Sequence, residues 1–99
     1  MTAERITNAA LLLGDTIFFL PPPARHIDVA RYIWGERDRY FYLTQEAQGF
    51  VTDTGRFVDR EEGHKIAKAA GQLIPRKGGY RDGEINDRDG SHLFSEDLW

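Results

Sequence analysis

The hydrophobic pattern of residues 48–73 predicts a β-hairpin followed by a helix. Two short apolar runs, GFV and RFV, flank the sequence TDTG, whose Asp and Gly suit a tight turn. Asp59 then stands where a helix N-cap belongs, with a glutamate at capping-box spacing. Apolar and small residues recur at helical spacing up to a glycine, a usual stop signal. We expect this helix to begin at about Arg60 and, because its inner residues are small, to pack closely on a sheet.

The N-terminal half follows the same plan. Two apolar runs at 6–13 and 16–20 are separated by Gly14 and Asp15, a pair suited to a two-residue turn. Their apolar residues are continuous rather than alternating, which indicates strands that are mostly covered. A buried helix is the alternative, but Gly14 and Asp15 divide the run and three prolines end it. Residues 24–34 then show helical periodicity that stops at a glycine.

These two units predict an α+β fold, in which two β-hairpins are each followed by a helix and a small sheet carries the helices on one face. The chain of 99 residues makes one domain, 1–99. A short strand is also expected at 40–43, and 72–74 is a candidate strand limited by the proline that follows it. Residues 76–91 are rich in charge and glycine. We expect them to form a mobile polar loop, because they have almost no core-forming side chains to offset their ordering entropy.

The last eight residues, HLFSEDLW, bring back apolar side chains. We expect Leu93, Phe94, Leu98 and Trp99 to dock on the body of the domain. Docking would hold the three polar residues that lie between them in fixed positions.

Composition and charge argue against several classes of function. The net charge is -3, which gives no overall attraction to nucleic acid or to an anionic membrane. The absence of cysteine rules out disulfides, thiolate zinc sites and cysteine nucleophiles. The apolar stretch at 9–20 is too short and too broken to span a bilayer, and no cleavage site of a signal peptide follows it. We therefore expect a cytoplasmic protein.

Arg25 and His26 fall in the first turn of the predicted N-terminal helix, where cations oppose the helix dipole. A bound anion would relieve this repulsion, and the N–H groups of the helix end would add donors. The alternative is that both side chains are solvated, or that Arg25 pairs with Asp28 or with the carboxylates of the tail. Arg56 and Arg60 present the same choice, since they either clamp the tail carboxylates or contact a ligand.

The sharper hypothesis is one polar pocket, formed if both helices begin at the same edge of the sheet. Such a pocket suits a nucleotide, with phosphates on the arginines, hydroxyls on the carboxylates and a base on Tyr40, Tyr42 or Trp99. The candidate ligand-binding residues are Arg25, His26, Arg56, Arg60, Ser95, Glu96 and Asp97.

Catalysis is the weaker hypothesis. His26 would serve as a general base oriented by Glu96 or Asp97, as in a small metal-independent phosphodiesterase. However, the chain has no P-loop, no His-Glu-x-x-His and no glycine-rich dinucleotide turn. No metal and no cofactor is expected, because His64 is predicted on an exposed helix face and His92 in a mobile segment.

The choice of partner follows from local charge. The arginines of the polar loop are diluted by aspartates and glutamates, which argues against binding to a nucleic acid backbone. Inhibition of another protein is the second function hypothesis, with Tyr32, Trp34, Tyr40 and Tyr42 as an aromatic patch, although these residues serve equally well as core. Whether the chain forms a homo-oligomer is left open.

Two stretches carry a resemblance to a known group of proteins. Residues 49–62 read GFVTDTGRFVDREE and residues 93–99 read LFSEDLW, and the pair Arg25 and His26 follows the first hairpin. With these features the chain resembles small proteins encoded by bacteriophages and prophages. It departs from their pattern in the three prolines before Arg25 and in the long charged loop. The resemblance implies a phage accessory protein in the bacterial cytoplasm, acting against host defence. With the pocket above, we expect it to bind an anionic small ligand such as a nucleotide signal.

Overall fold

The computed structural model describes residues 4–35, 43–77 and 81–99. Within these ranges the chain forms one antiparallel sheet of four strands, in the order β2-β1-β3-β4, and two α-helices. Single turns of 3-10 helix precede β3, at Gln45–Ala47, and lie in the tail, at Ser95–Asp97. The strands are β1 (Ile6–Leu13), β2 (Thr16–Phe19), β3 (Gln48–Thr52) and β4 (Phe57–Asp59), and the helices are α1 (His26–Trp34) and α2 (Arg60–Ala69).

Both predicted hairpins are present. Gly14 and Gly55 lie in their turns with φ of 63° and 85°, a left-handed conformation that glycine adopts without a steric penalty. The two hairpins join through β1 and β3, which pair in the middle of the sheet. An irregularity between Ile6 and Asn8 lets Ile6 and Ala9, three positions apart, reach the same core cluster.

The helix ends also follow the sequence signals. The carboxylate of Asp59 accepts a hydrogen bond from the main-chain N–H of Glu62 at 2.8 Å, which caps α2. Gly35 ends α1 in the left-handed region, with φ of 74°. A Cβ at Gly63 would lie 3.2 Å from the ring of Phe50, so the absence of a side chain allows α2 to approach the sheet closely.

The strand register places both helices on one face of the sheet. Ala9 pairs with Phe50, and Phe50 pairs with Val58, so the three side chains share a face and pack with α2. Leu11 lies two residues after Ala9 on that same face, where it packs with Val29 of α1. The predicted α+β class, with both helices on one face, is confirmed.

The tail docks as predicted. Leu93 is fully buried in the core cluster that α2 shares with the sheet, and Leu98 and Trp99 pack against that cluster. The indole N–H of Trp99 donates a hydrogen bond to the main-chain oxygen of Ala24 at 3.3 Å. Phe94 is the exception, because its side chain stays 39% exposed.

Two local predictions are wrong. No strand forms at 72–74; this segment is held instead by the tail, since the N–H of Ile74 donates to the main-chain oxygen of Asp97 at 2.9 Å. His64 does not lie on an exposed helix face but is buried, and its Nε2 is 2.6 Å from the main-chain oxygen of Asn86. The polar segment after α2 covers the helix at this point. The strand expected at 40–43 falls almost wholly outside the described residues.

The described residues of 76–91 form specific contacts with the domain. Lys68 of α2 forms an ion pair with Asp89, and the N–H of Arg76 donates to the main-chain oxygen of Glu84 at 2.8 Å. The mobility of this segment stays a prediction.

Among the described helices none is long and apolar enough to cross a membrane.

Candidate functional site

Arg25 links the start of α1 to the tail. The main-chain N–H of Arg25 donates to the carboxylate of Asp28 at 2.8 Å, which fixes the first turn of the helix. Its guanidinium lies 3.1 Å from the Glu96 carboxylate and donates to the main-chain oxygen of Trp99 at 2.7 Å. The pairing of Arg25 with a tail carboxylate, one of the alternatives in the sequence, is therefore present.

His26 is buried against the sheet at the start of the same helix. Its Nε2–H donates to the main-chain oxygen of Gly49 at 2.6 Å, and its ring meets Phe50 edge-on at a centroid distance of 5.0 Å. Burial, together with the nearby positive charge of Arg60, lowers the pKa of His26 from 6.5 to about 3. The ring is therefore neutral at physiological pH, and because a carbonyl oxygen only accepts, the proton resides on Nε2.

Arg60 brings a second guanidinium to this region from the start of α2. The residue is only 5% exposed, and it donates to the main-chain oxygen of Leu93 at 2.9 Å and to Oε1 of Gln48 at 2.7 Å. Its guanidinium lies over the ring of Phe94, 4.7 Å from the centroid. Arg60 thus holds the tail through the main-chain oxygen of Leu93 and the ring of Phe94, whereas the clamp on Glu96 and Asp97 was only one of two alternatives from the sequence.

One cavity of about 210 Å³ lies where the starts of the two helices meet the tail. It brings together five of the seven residues predicted from the sequence. The sequence does not predict Ile27 or Phe94 as lining residues; the available signal for Phe94 is an aromatic residue beside the polar tail residues, which also fits a docked side chain. The lining residues are Arg25, His26, Ile27, Arg60, Phe94, Ser95 and Glu96. We call this the Arg25 cavity.

Arg56 does not line this cavity. It lies at the turn end of the second hairpin, separated from Arg60 by strand β4. There it donates to the carboxylate of Glu4 through Nε at 2.8 Å and a terminal nitrogen at 2.7 Å, and it lies 3.6 Å from Glu62. Hydrogen bonding to Arg56 lowers the pKa of Glu4 to about 2. The expected convergence of Arg56 with the other candidates is wrong, because the strand carries it to the far end of the hairpin.

Asp97 also lies outside the cavity, although it belongs to the same tail. Its carboxylate is fully buried and accepts hydrogen bonds from Nε of Arg76 at 2.6 Å, Nδ2 of Asn86 at 2.9 Å and the N–H of Phe94 at 2.9 Å. The 3-10 turn at Ser95–Asp97 therefore directs Asp97 toward the polar segment and Glu96 toward Arg25.

The remaining candidates are placed as follows. Tyr32 is 77% exposed, whereas Trp34 packs against the cluster of Leu11 and Val29. Tyr40 and Tyr42 lie outside the described residues. Within the part of the chain that the structure describes, no group of three or more His, Asp or Glu side chains is placed to hold a metal ion.

The fold and this cavity define a small α+β protein with two arginines and a neutral histidine at the junction of its helices. The chain belongs to a bacteriophage family, because the family model described as phage T4 y16D protein matches residues 5–99. The resemblance to small phage proteins is thereby confirmed at the level of the family. Neither the curated proteins nor the solved structures gave a significant match.

Proposed function

We propose that this phage protein binds an anionic small ligand of the nucleotide type in the Arg25 cavity. The observation that carries the proposal is the approach of two guanidinium groups, from the starts of α1 and α2, to one cavity. Arg60 contributes a charge that is fixed and largely desolvated, which strengthens its interaction with an anion. Arg25 contributes a charge that is still accessible, since its side chain is 29% exposed.

The chemistry of the other lining residues supports this ligand class. Ser95 and Glu96 offer partners for hydroxyl groups, and the exposed part of the Phe94 ring offers apolar contact for a base. This ring takes the place that the sequence suggested for Trp99, whose indole is committed to Ala24. The volume of about 210 Å³ is below that of most drug-sized sites, so it suits one phosphate and its sugar better than a large ligand.

The phage family supplies the biological setting for the proposal. A phage protein that binds a nucleotide in the host cytoplasm removes that nucleotide from host signalling, and counter-defence by sequestration is the role that we propose. Binding is favoured over cleavage, because Nε2 of His26 is already bonded to Gly49 and the ring does not accept a proton near neutral pH.

Inhibition of a host protein is the second candidate. It rests on Tyr32, an aromatic side chain on α1 that is 77% exposed and suits an anchor at a protein interface. Capture of one host protein from lysate by the wild type, and its loss with Tyr32→Ala, would favour this candidate.

A thermal-shift screen with nucleotides and cyclic oligonucleotides tests the first proposal, because a ligand that binds the folded state raises the Tm. We expect at least one compound to raise the Tm of the wild type and of Arg31→Gln, a matched control on the exposed side of α1. The same compound should have little effect on Arg25→Gln. Chromatography of the compound after incubation should recover it intact. The absence of a shift with every anion would refute the proposal.

A further inference from the structure

A second cavity lies within the polar segment after α2, with a volume of about 240 Å³. We call it the loop cavity. Its lining is almost entirely polar: three arginines, Arg76, Arg81 and Arg88, face two carboxylates, Glu84 and Asp87, and Asn86 and Ser91 add neutral polar groups.

Three arginines line this cavity, and they differ in the contacts that their side chains make. Arg81 pairs loosely with Glu84, at 3.6 Å, and adopts a left-handed backbone with φ of 64°, which is unusual for a residue other than glycine. Arg76 is oriented through Nε by the buried Asp97, and its terminal nitrogens form no further hydrogen bond within the described part of the chain. Arg88 has no side-chain partner among the described residues. Three guanidiniums against the two carboxylates of Glu84 and Asp87 leave the lining with an excess of positive charge, which favours a phosphate.

The walls of the loop cavity are held in place before any ligand arrives. Asn86 is held by three contacts. Its main-chain oxygen is 2.6 Å from Nε2 of the buried His64. Its Nδ2 donates to the carboxylate of Asp97 and to the main-chain oxygen of His92, both at 2.9 Å. Arg76 and Glu84 are joined by a main-chain hydrogen bond of 2.8 Å across the base of the segment. Preorganisation of this kind lowers the entropic cost of binding.

Phe94 lines the Arg25 cavity, and its ring contacts Arg76, which lines the loop cavity. The guanidinium carbons of Arg60 and Arg76 lie 4.7 Å and 5.3 Å from the centroid of the same Phe94 ring. The two charges are therefore within about 10 Å of each other, each in reach of the ring for a cation–π contact. Adjacent phosphates of a dinucleotide are separated by a similar or shorter span.

We infer that the loop cavity is a second site for a phosphate-bearing group, and that the two cavities together take one ligand with two anionic groups, such as a dinucleotide. The phosphate contacts Arg76 and Arg88, while Ser91, Asn86 and the carboxylate of Glu84 meet hydroxyls. This inference rests on the proposed function for the Arg25 cavity and extends it from one phosphate to two.

A titration of ¹⁵N-labelled protein with inorganic phosphate, followed by NMR, tests each cavity separately. We expect saturable shifts of the amides of Asn86 and Ser91 at the loop cavity and of Ser95 and Glu96 at the Arg25 cavity. Arg88→Gln should lose the first set and keep the second. Lys77→Gln removes the same charge from an exposed residue that does not line the cavity, and should keep both.

The outcomes separate this inference from the proposed function. Shifts at Ser95 and Glu96 alone would overturn the second site and leave the proposed function standing. Shifts at Asn86 and Ser91 alone would overturn both the proposed function and the shared ligand. A titration with no saturable shifts at all, in the loop cavity or in the Arg25 cavity, would overturn both as well.

The linear dinucleotide 5′-phosphoadenylyl-adenosine, which carries two phosphates, then tests whether one ligand spans both cavities. We expect both sets of amides to shift along a single 1:1 binding curve, with about tenfold weaker binding in Arg88→Gln. Shifts of one set only, two independent curves, or no binding at all would overturn the shared ligand.

Discussion

The guanidinium of Arg25 lies 3.1 Å from the carboxylate of Glu96, so the start of the first helix is joined to the tail by an ion pair. Both side chains keep substantial exposure, 29% for Arg25 and 40% for Glu96. A pair of this kind adds little stability, because water screens it. Loss of this pair should therefore change the stability of the fold little, and in the proposed site an anion would compete with Glu96 for Arg25.

The buried His26 makes stability depend on pH. Its pKa is about 3 in the folded protein and about 6.5 when unfolded, so below pH 6.5 the unfolded chain binds the proton and the folded chain does not. Stability is thus highest above pH 6.5 and is lost as the pH falls toward 3. We expect a loss of about 2 kcal/mol between about pH 7.5 and pH 5, measured by urea unfolding.

His26→Gln removes this titration and should flatten the slope by the same amount. The window lies above the usual pKa of a carboxyl group, so Glu4, whose pKa is lowered to about 2, is ionised in both states and does not contribute. Equal slopes in the two proteins would show that His26 takes up its proton as readily when folded as when unfolded.

Arg60 should contribute more to stability than Arg56. Arg60→Met removes two buried hydrogen bonds, to the main-chain oxygen of Leu93 and to Oε1 of Gln48. We expect the free energy of unfolding to fall by about 3 kcal/mol. Arg56→Met is the matched control on the exposed hairpin, and its loss should be clearly smaller. Similar losses in urea unfolding would contradict the assignment of Arg60 to the interior.

Asp97 and Glu96 are neighbours with opposite roles. Asp97→Ala leaves Arg76 without its buried partner and removes one hydrogen bond of Asn86, so we expect the free energy of unfolding to fall by about 3 to 5 kcal/mol. Hydrogen exchange in residues 81–91 should also become faster. Glu96→Ala should change neither stability nor exchange by much. Equal exchange rates in Asp97→Ala and the wild type would mean that Asp97 does not hold the polar segment.

The docked tail gives a further prediction about packing. Trp99→Ala removes an indole that packs on the core and hydrogen-bonds to Ala24. We expect a loss of about 3 kcal/mol, close to the usual cost of deleting a large, mostly buried side chain. Phe94→Ala is the comparison, because its ring is 39% exposed and should cost less. An unchanged Tm in Trp99→Ala would mean that the tail is free in solution.

The elements of this fold could be predicted because their signals are local. Glycines at both hairpin turns, Asp59 at a cap and the periodicity of the helices each depend on a few neighbouring residues. The burial of His64 could not be predicted from its neighbours in the sequence. His64 lies among charged residues on α2, and only the polar segment, about twenty positions further on, buries it.

Part of the candidate site could also be predicted, because it depends on where the two helices begin. The starts of the two helices meet on one side of the sheet, so Arg25, His26 and Arg60 converge with the tail. Arg56 is only four positions from Arg60, but a strand separates them, and Glu4, which precedes β1, provides a partner for Arg56. The direction of Asp97 is set by a single 3-10 turn, and the sequence carries no signal strong enough to predict it.

Anion binding at the Arg25 cavity is tested most directly by the opposite effects of two substitutions on the affinity for inorganic pyrophosphate, measured by isothermal titration calorimetry. Glu96→Gln removes the competing carboxylate, so we expect binding several-fold tighter than in the wild type, whereas Arg25→Gln should bind about tenfold more weakly. Arg31→Gln should match the wild type. Equal affinities in all four proteins, or no binding to the wild type, would contradict the proposed site.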